Sequence, residues 1–237
     1  MLGSLRVDRS LHVPESRFGV WFLRTDIWET YVLEYAVADL RNLIRNRRAA
    51  YPVIVDIGCG SGRSFRFLDK LFAPDLLIGA DIDPAMLSLS AMEAEKQNLN
   101  VKLIRGTSSN LGLADQSVDL LFCHQTFHHL VDQESAIREF HRTLKPGGIL
   151  LFAESTRAFI HSWIIRLLFR HPMDVQKSAP EYLDVIRNAG FDIAPDAVSY
   201  PFLWWSRSDL GIRERFFGIP PSPKREETLI NVAAVRI

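Results

Sequence analysis

The stretch VIVDIGCGSGRS, residues 53–64, decides the fold of this 237-residue chain. Val53, Ile54 and Val55 form an uninterrupted β-branched run, which is typical of a parallel strand covered on both faces. Asp56 follows at the carboxyl end of that strand, where open α/β sheets bind ligands. The stretch therefore predicts a strand that ends in a ligand-binding turn.

Three glycines at alternate positions, Gly58, Gly60 and Gly62, lie between this strand and a helical pattern. Glycine tolerates positive φ and lets a ligand approach the backbone without meeting a Cβ. The dinucleotide fingerprint G-x-G-x-x-G would need a further glycine where this chain has Arg63. The acid two residues before the first glycine also suits an ammonium better than a phosphate. The spacing therefore disfavours a dinucleotide-dependent oxidoreductase.

Strand and helix patterns alternate on both sides of this turn, which indicates a βαβ sheet. Strands are predicted at 53–57, 76–81, 101–105, 118–124 and after the Pro-Gly-Gly turn in LKPGGILLFAES (144–155), with helices at 26–48, 62–72, 84–97, 133–144, 158–170 and 179–191. Two later segments, FDIAPDAVSYPFLWW and TLINVAAVRI, are strand candidates for a hairpin at one edge of the sheet.

The glycine spacing with its preceding acid resembles the first motif of the class I S-adenosylmethionine-dependent methyltransferases, small-molecule enzymes of the ubiquinone and menaquinone type among them. The resemblance implies an α/β, Rossmann-like fold: a seven-stranded, mostly parallel sheet with helices on both faces and an antiparallel C-terminal strand. It implies S-adenosyl-L-methionine as the cofactor. Residues 1–50 would form an N-terminal helical lid or substrate region, and residues 51–237 the methyltransferase domain, with a substrate-side insertion at about 156–227.

Further motifs extend the expected cofactor site. Asp81 ends the second strand, where an acid can accept two hydrogen bonds from a ribose diol. Asp83, the competing candidate, precedes Pro84 and is more typical of a helix start. The resemblance implies that Ile82 packs on the adenine, and Thr107 stands where the family often has an acid. The expected cofactor-binding residues are Asp56, Gly58, Cys59, Gly60, Gly62, Asp81, Ile82, Thr107, Ser108, His124 and Gln125.

The stretch DLLFCHQTFHHLVD (119–132) supplies the candidates for catalysis, His128 and His129, either as bases or as substrate-positioning groups. A base is required only if the nucleophile must lose a proton as it attacks, and His171 is a further candidate for that role. The three histidines of this stretch do not form an H-E-x-x-H pattern, and no helix is predicted there. We therefore expect no metal site.

Composition limits the partners. The 28 basic and 28 acidic residues cancel, so the chain has no overall field that would attract nucleic acid. The N-terminus has no signal-peptide pattern and no apolar run is long enough to span a bilayer, so we predict a cytoplasmic protein without stable membrane insertion. The two cysteines, Cys59 and Cys123, are too few for a disulfide framework.

Aromatic residues are concentrated in the first 50 residues and after residue 155. They favour a small hydrophobic or aromatic acceptor, for example a lipid- or quinone-like molecule, although they could also simply pack as core. The segment 158–170 has apolar residues at i, i+3 and i+4 spacing, which fits either burial against the sheet or peripheral binding to a membrane surface. Two function classes remain, a methyltransferase for such an acceptor and an S-adenosylmethionine-binding protein that does not transfer methyl.

Overall fold

The computed structural model describes residues 13, 15–207, 209–222 and 224–237. At its centre is one β-sheet formed by β1 (Val53–Ile57), β2 (Leu76–Asp81), β3 (Val101–Arg105), β4 (Val118–His124), β5 (Leu144–Ser155), β6 (Phe191–Asp192), β7 (Val198–Ser199) and β8 (Leu229–Arg236). The strands follow the order β3-β2-β1-β4-β5-β8-β6, and β7 also pairs with β8. The first five strands run parallel, whereas β8 is antiparallel to its neighbours. The predicted Rossmann-like, mostly parallel fold is confirmed, but the sheet formed by the described residues has eight strands instead of the expected seven.

Alternation along β1 sends its side chains into two separate hydrophobic cores. The helices on the two faces are α3 (Glu34–Leu43), α4 (Phe65–Phe72), α5 (Pro84–Lys96), α6 (Gln133–Thr143) and α9 (Ala179–Asn188). Val55 and Ile57 pack with residues of α6 and α9, whereas Ile54 packs with residues of α3 and α4. Every residue of β4 is buried, as expected for a central strand covered on both faces. The bounds of the first four strands agree with the prediction, and burial explains this for β1, β2 and β4.

The remaining helices are short and flank the main domain. They are α1 (Arg17–Phe22), α2 (Asp26–Trp28), α7 (Arg157–Ile160), α8 (Trp163–Leu168) and α10 (Ile212–Phe217), together with a π-helical turn at Glu29–Leu33 and 3-10 turns at Phe127–His129, Met173–Val175 and Trp204–Ser206. The predicted helix 26–48 ends earlier, because Ile44 turns to an extended conformation and buries its side chain. Every helix in the described part of the chain is too short or too polar to cross a lipid bilayer.

Two predicted elements of the C-terminal third are interrupted. The single helix expected over 158–170 is two helices, α7 and α8, because Ser162 is extended and starts the second one. The expected strand after Phe191 is reduced to β6 and β7, separated by a turn in which the Ala197 amide donates to Ala194 O. Pro195 lies inside that turn, where its missing N–H removes a ladder hydrogen bond. Both β6 and β7 pair with β8 and lie one after the other along the same edge of the sheet.

Candidate functional site

A cavity of about 400 Å³ opens at the carboxyl ends of the parallel strands β1, β2 and β4. This is the edge at which open α/β sheets bind their ligands. Two of the predicted site residues, Gly62 and His128, are not part of its lining. The predicted residues that do line it are Asp56, Gly58, Cys59, Gly60, Asp81, Ile82, Thr107, Ser108, His124, Gln125 and His129.

The glycine turn is shaped by its positive φ angles. Gly58, Gly60 and Gly62 have φ of 67°, 53° and 80°. The turn is fixed to β2, because the amides of Gly58 and Cys59 both donate to Ala80 O, at 2.8 and 3.0 Å. A Cβ added at Gly58 would lie 2.4 Å from the Thr126 side chain, whereas one added at Gly60 would meet no heavy atom closer than 4.0 Å. The backbone at Gly60 is therefore open to a ligand in the cavity.

Asp56 is a nearly fully buried carboxylate at the floor of the cavity. Its Oδ2 accepts a hydrogen bond from the Ser64 hydroxyl, which comes from the residue before α4. Burial, opposed by the Ser64 hydrogen bond and aided by the nearby charge of Asp81, raises the pKa of Asp56 to about 7. A cationic ligand beside Asp56 would favour the ionised carboxylate. The group is therefore suited to an ammonium.

Asp81 presents its carboxylate to the cavity from the end of β2. Its Oδ2 accepts from the Gly60 amide at 2.9 Å and its Oδ1 from the Asp83 amide at 2.8 Å. The two backbone amides fix the orientation of the carboxylate, and a carboxylate oxygen can accept more than one hydrogen bond. Asp83 instead caps α5, because its Oδ1 accepts from the Ala85 amide at 2.8 Å.

Thr107 and Ser108 lie in a tight turn after β3. Thr107 forms an isolated antiparallel bridge with Asn110, and its hydroxyl lies 3.2 Å from the Ser109 hydroxyl. Both Thr107 and Ser108 line the cavity. The turn therefore places small polar side chains on the wall where the resemblance implies the adenine.

His124 and Gln125 follow β4 and differ in what they contact. The buried Nε2 of His124 has no hydrogen-bond partner among the residues that the structure describes, and its ring lies 5.5 Å from that of Trp28. Burial, together with the charge of His128, lowers the pKa of His124 to about 3, so this imidazole is neutral near pH 7. Gln125 has φ of 50°, and its Oε1 accepts from the Ser155 hydroxyl at 2.6 Å. Such a strained residue at a cavity wall is typical of a functional site.

His128 lies behind the cavity wall and is held by Glu154, a buried residue of β5. The distance from His128 Nδ1 to Glu154 Oε2 is 2.5 Å, and both side chains are almost completely buried. The other carboxylate oxygen, Oε1, accepts the amides of Thr126 and Phe127 at 2.9 and 2.7 Å. Glu154 therefore fixes both the 3-10 turn and the His128 ring. The prediction that this stretch contains no helix was wrong, because Phe127–His129 form this 3-10 turn.

His129 lies at the cavity wall and belongs to a cluster of three imidazoles. Its ring centre lies 4.3 Å from that of His128 and 4.8 Å from that of His171. Burial, together with the charge of His128, lowers the pKa of His171 to about 3, so that ring is also neutral near pH 7. The Glu15 carboxylate is 3.8 Å from His129 Nε2.

The N-terminal helices cover one side of the cavity and are tied to the glycine turn by Arg63. Its guanidinium donates to Arg24 O, to Asp26 Oδ1 at 3.1 Å and to the Glu29 carboxylate. Glu29 belongs to the π-helical turn and also pairs with Arg66 of α4. The arginine that replaces a dinucleotide-type glycine thus connects the turn to the helices above it.

The side of the cavity that these helices form is mostly apolar. Phe18 and Phe22 of α1 pack on Phe169, with ring centres 5.6 and 6.0 Å apart, so the N-terminal helices also contact the C-terminal insertion. The charged residues that the N-terminal segment contributes to the lining are Glu15 and Arg24. The apolar residues on this side are Val13, Val20, Leu23, Trp28 and Leu33, together with Leu130 from the loop after β4.

Three residues that organise the site were missed by sequence reasoning. Glu154 could have been found, because an acid at the end of a buried strand is the same signal that singled out Asp56 and Asp81. Glu15 precedes the first described helix and has no local pattern around it. Arg63 was noted only for excluding a glycine, because its partners depend on how the N-terminal helices pack.

Comparison with known proteins agrees with this geometry. A family model described as a methyltransferase domain matches residues 55–152. A ubiquinone biosynthesis O-methyltransferase from Cereibacter sphaeroides is 28% identical over 169 residues, which are 66% of this chain and 68% of that protein. A demethylmenaquinone methyltransferase from Deinococcus radiodurans is 29% identical over 121 residues, half of each chain.

A solved structure supports the same fold. The crystal structure of an S-adenosylmethionine-dependent methyltransferase from Aquifex aeolicus superposes with a TM-score of 0.64. The match covers 92% of this chain and 97% of the other, at 16% sequence identity. At that identity the likeness concerns the fold alone.

Proposed function

Because this chain is a class I S-adenosylmethionine-dependent methyltransferase, we propose that it transfers a methyl group to a small apolar or aromatic acceptor. The observation that carries the proposal is the mixed lining of the cavity. The glycine turn, Asp56 and Asp81 supply polar groups, which we call the polar half, and the N-terminal segment supplies mostly apolar side chains, which we call the acceptor half. A polar cofactor and an apolar acceptor would thus each meet a matching surface.

The polar half fits S-adenosylmethionine. When bound, the cofactor supplies an electrophilic methyl on a sulfonium, so the protein needs mainly to align the acceptor and exclude water. Asp56 would hold the ammonium, the open backbone at Gly60 would let the cofactor approach, and Asp81 would accept hydrogen bonds from the ribose. Thr107 and the unpartnered Nε2 of His124 are further polar groups on the same walls. The remaining residues proposed to line the cofactor are Gly58, Cys59, Gly62, Ile82, Ser108 and Gln125.

The acceptor half is bounded by His129. We assign His129 to positioning the nucleophilic atom of the acceptor and, where that atom carries a proton, to receiving it. His128 is not part of the cavity lining, so its role would be to support His129 through the contact between their tilted rings. Glu154 in turn fixes the His128 ring. His128 is thus proposed as a positioning residue rather than as a base.

A quinone-like acceptor is the specific class that we favour. Two relatives carry names that concern ubiquinone and menaquinone methylation. Such molecules combine an aromatic ring bearing oxygen with an apolar tail, and the acceptor half of the cavity offers Trp28, Leu23 and Leu33 to them. The oxygen of a phenolic ring would then be the methylated atom.

An acceptor panel tests the proposal. The protein is incubated with S-adenosylmethionine and phenols that carry or lack a short prenyl tail, and S-adenosylhomocysteine is quantified by mass spectrometry. Leu23→Asn should raise KM for the prenylated phenol and leave cofactor affinity unchanged, whereas Val131→Asn, an exposed change outside the cavity, should alter neither. Cofactor binding without product across the panel, or turnover indifferent to the tail, would contradict the acceptor class.

Peripheral contact with a lipid surface would suit an acceptor of this kind. Trp163 and Leu167 of α8 are 67% and 73% exposed, and Arg166 lies between them in sequence. Ile165, by contrast, is buried, so the helix is anchored by one side and apolar on the other. Liposome flotation tests this role. The double change Trp163→Ser, Leu167→Ser should abolish association with anionic vesicles, and parent protein that fails to float would contradict it.

A further inference from the structure

Two imidazoles adjacent in sequence and a third from a distant loop converge beside the cavity. His128 and His129 come from the 3-10 turn after β4, and His171 comes from the loop after α8. One ligand nitrogen from each lies within 4.8 Å of those of the other two. We propose that His128, His129 and His171 form a binding site for a zinc-type divalent cation at the edge of the acceptor half. An ion bound here would occupy one nitrogen of His129, so His129 would then position the acceptor as a metal ligand and would not receive its proton through that nitrogen. The inference does not depend on the identity of the acceptor.

The spacing of the rings fits one ion. Imidazoles that bind a tetrahedral ion through nitrogen at about 2.0–2.1 Å have ring centres roughly 5 Å apart. In the structure these centres are separated by 4.3 Å (His128 and His129), 4.8 Å (His129 and His171) and 5.1 Å (His128 and His171). Small rotations of the side chains therefore bring all three within reach of one ion. Imidazole ligands favour zinc, copper, iron and nickel over magnesium or calcium.

The surroundings of His128 match those of a metal ligand. A metal-binding histidine almost always directs its other ring nitrogen to a carboxylate or a carbonyl, which fixes the tautomer and the ring. Here His128 Nδ1 is taken by Glu154, so Nε2 is left to face the cluster. Glu154 is itself fixed by two backbone amides, as described above. The ring cannot turn away without breaking this set of hydrogen bonds.

The loop that carries His171 is held at the same place. The Gln176 amide donates to His128 O and to Pro172 O, both at 2.8 Å, so one side chain joins the two segments that supply the imidazoles. On the other side Glu15 Oε1 accepts the Arg170 amide at 3.0 Å. Its Oε2 lies 3.8 Å from His129 Nε2, where it adds a negative charge beside the proposed cation. The cluster is therefore a preorganised site.

Metal binding is measured on untagged protein that has been stripped with a chelator. Zn²⁺ is titrated in competition with a chromophoric chelator, and Co²⁺ is added separately so that its visible absorption reports the coordination geometry. We expect one ion per chain and a four-coordinate Co²⁺ spectrum. His171→Ala and His129→Ala should each lower zinc affinity by at least about tenfold, and Glu15→Gln should weaken it as well.

His161→Ala is the matched control, because His161 is an exposed histidine of the same region outside the cluster. It should leave zinc affinity unchanged. Circular dichroism and thermal melting establish that the variants fold, and His171, on a loop, is the least demanding of the three to replace. Parent protein that binds no stoichiometric zinc, or His171→Ala and His129→Ala variants that bind it as tightly as the parent, would overturn the proposal. Failure here leaves the acceptor panel unaffected, so the two proposals are tested separately.

Discussion

Glu154 Oε2 lies 2.5 Å from His128 Nδ1 in the interior of the protein, and the same carboxylate accepts two backbone amides of the 3-10 turn. A carboxylate without a proton can only accept hydrogen bonds, so with Glu154 in that form the contact assigns the His128 ring proton to Nδ1. The tautomer of the ring next to the cavity wall is therefore set by a residue on the neighbouring strand.

Glu154→Gln should reverse that tautomer. The glutamine carbonyl can still accept the Thr126 and Phe127 amides, while its NH₂ group would donate to His128 Nδ1 and force the ring proton onto Nε2. We expect a folded protein in which zinc affinity falls by about 10- to 100-fold. Imidazole nitrogen chemical shifts measured by NMR report the tautomer, and Glu134→Gln, at an exposed acid of α6, is the control. A His128 ring that keeps its proton on Nδ1 would contradict this role for Glu154.

Asp81→Ala should weaken cofactor binding much more than Asp83→Ala. Hydrogen bonds to a charged group are worth on the order of 1.5 to 3 kcal/mol each, so the loss of those from the ribose corresponds to at least about a tenfold weaker affinity. Asp83→Ala removes the cap of α5 and should lower the free energy of unfolding by about 1 kcal/mol. Isothermal titration with S-adenosylmethionine and chemical denaturation of both variants separate the two effects. Equal affinity in Asp81→Ala and the parent would show that Asp81 does not bind the ribose.

Local patterns were sufficient to predict the sheet. The run that contains Ile54 and Val55 is apolar because both faces of β1 are buried, and the same holds for β4, so the strand bounds follow from the sequence. The same reasoning predicted the glycine turn and the carboxylates at the ends of two strands. In the C-terminal third Pro195 and Ser162 interrupt elements whose apolar spacing looked continuous.

Contacts between distant segments could not be predicted in this way. His171 joins His128 and His129 only because the loop after α8 folds back under Gln176 and Glu15. No periodicity or motif in the sequence around His171 predicts that contact. No metal site was expected, because the three histidines of the 119–132 stretch form no H-E-x-x-H pattern and their partner His171 lies in a distant segment.

The buried carboxylate of Asp56 should make stability depend on pH. Its pKa is about 7 in the folded protein against a reference value of 3.8, so between these values the folded state holds a proton that the unfolded chain has released. Stability falls with rising pH wherever the folded state binds more protons. The free energy of unfolding should thus fall from about pH 4 to about pH 7, by on the order of 2–4 kcal/mol, and then level off.

Asp56→Asn removes this titrating group. The free energy of unfolding of the variant should therefore not show the decrease between about pH 4 and pH 7 that Asp56 causes in the parent. Urea denaturation at several pH values gives the comparison, with Asp69→Asn as the control because Asp69 is exposed on α4. Parallel curves for the parent and Asp56→Asn would contradict the raised pKa. Bound S-adenosylmethionine should reduce the difference, because its ammonium would favour the ionised carboxylate.

Arg63 should control how firmly the N-terminal helices cover the cavity. Its guanidinium joins the glycine turn to Arg24, Asp26 and Glu29, so Arg63→Met breaks three contacts at once. We expect amide hydrogen exchange over residues 17–33 to become about 10- to 100-fold faster, equivalent to roughly 1–3 kcal/mol of local opening energy. Cofactor affinity should fall as well, because Arg63 lines the cavity.

Arg66→Met provides the comparison, because Arg66 is half exposed and contacts the same helices only through Glu29. Exposed ion pairs contribute little to stability, so amide hydrogen exchange over residues 17–33 in Arg66→Met should stay close to that of the parent. Hydrogen exchange measured by mass spectrometry, with and without S-adenosylmethionine, distinguishes the two arginines. Unchanged amide hydrogen exchange of these helices in Arg63→Met would contradict this role of Arg63. It would indicate that the packing of Phe18 and Phe22 against Phe169 keeps the N-terminal helices over the cavity.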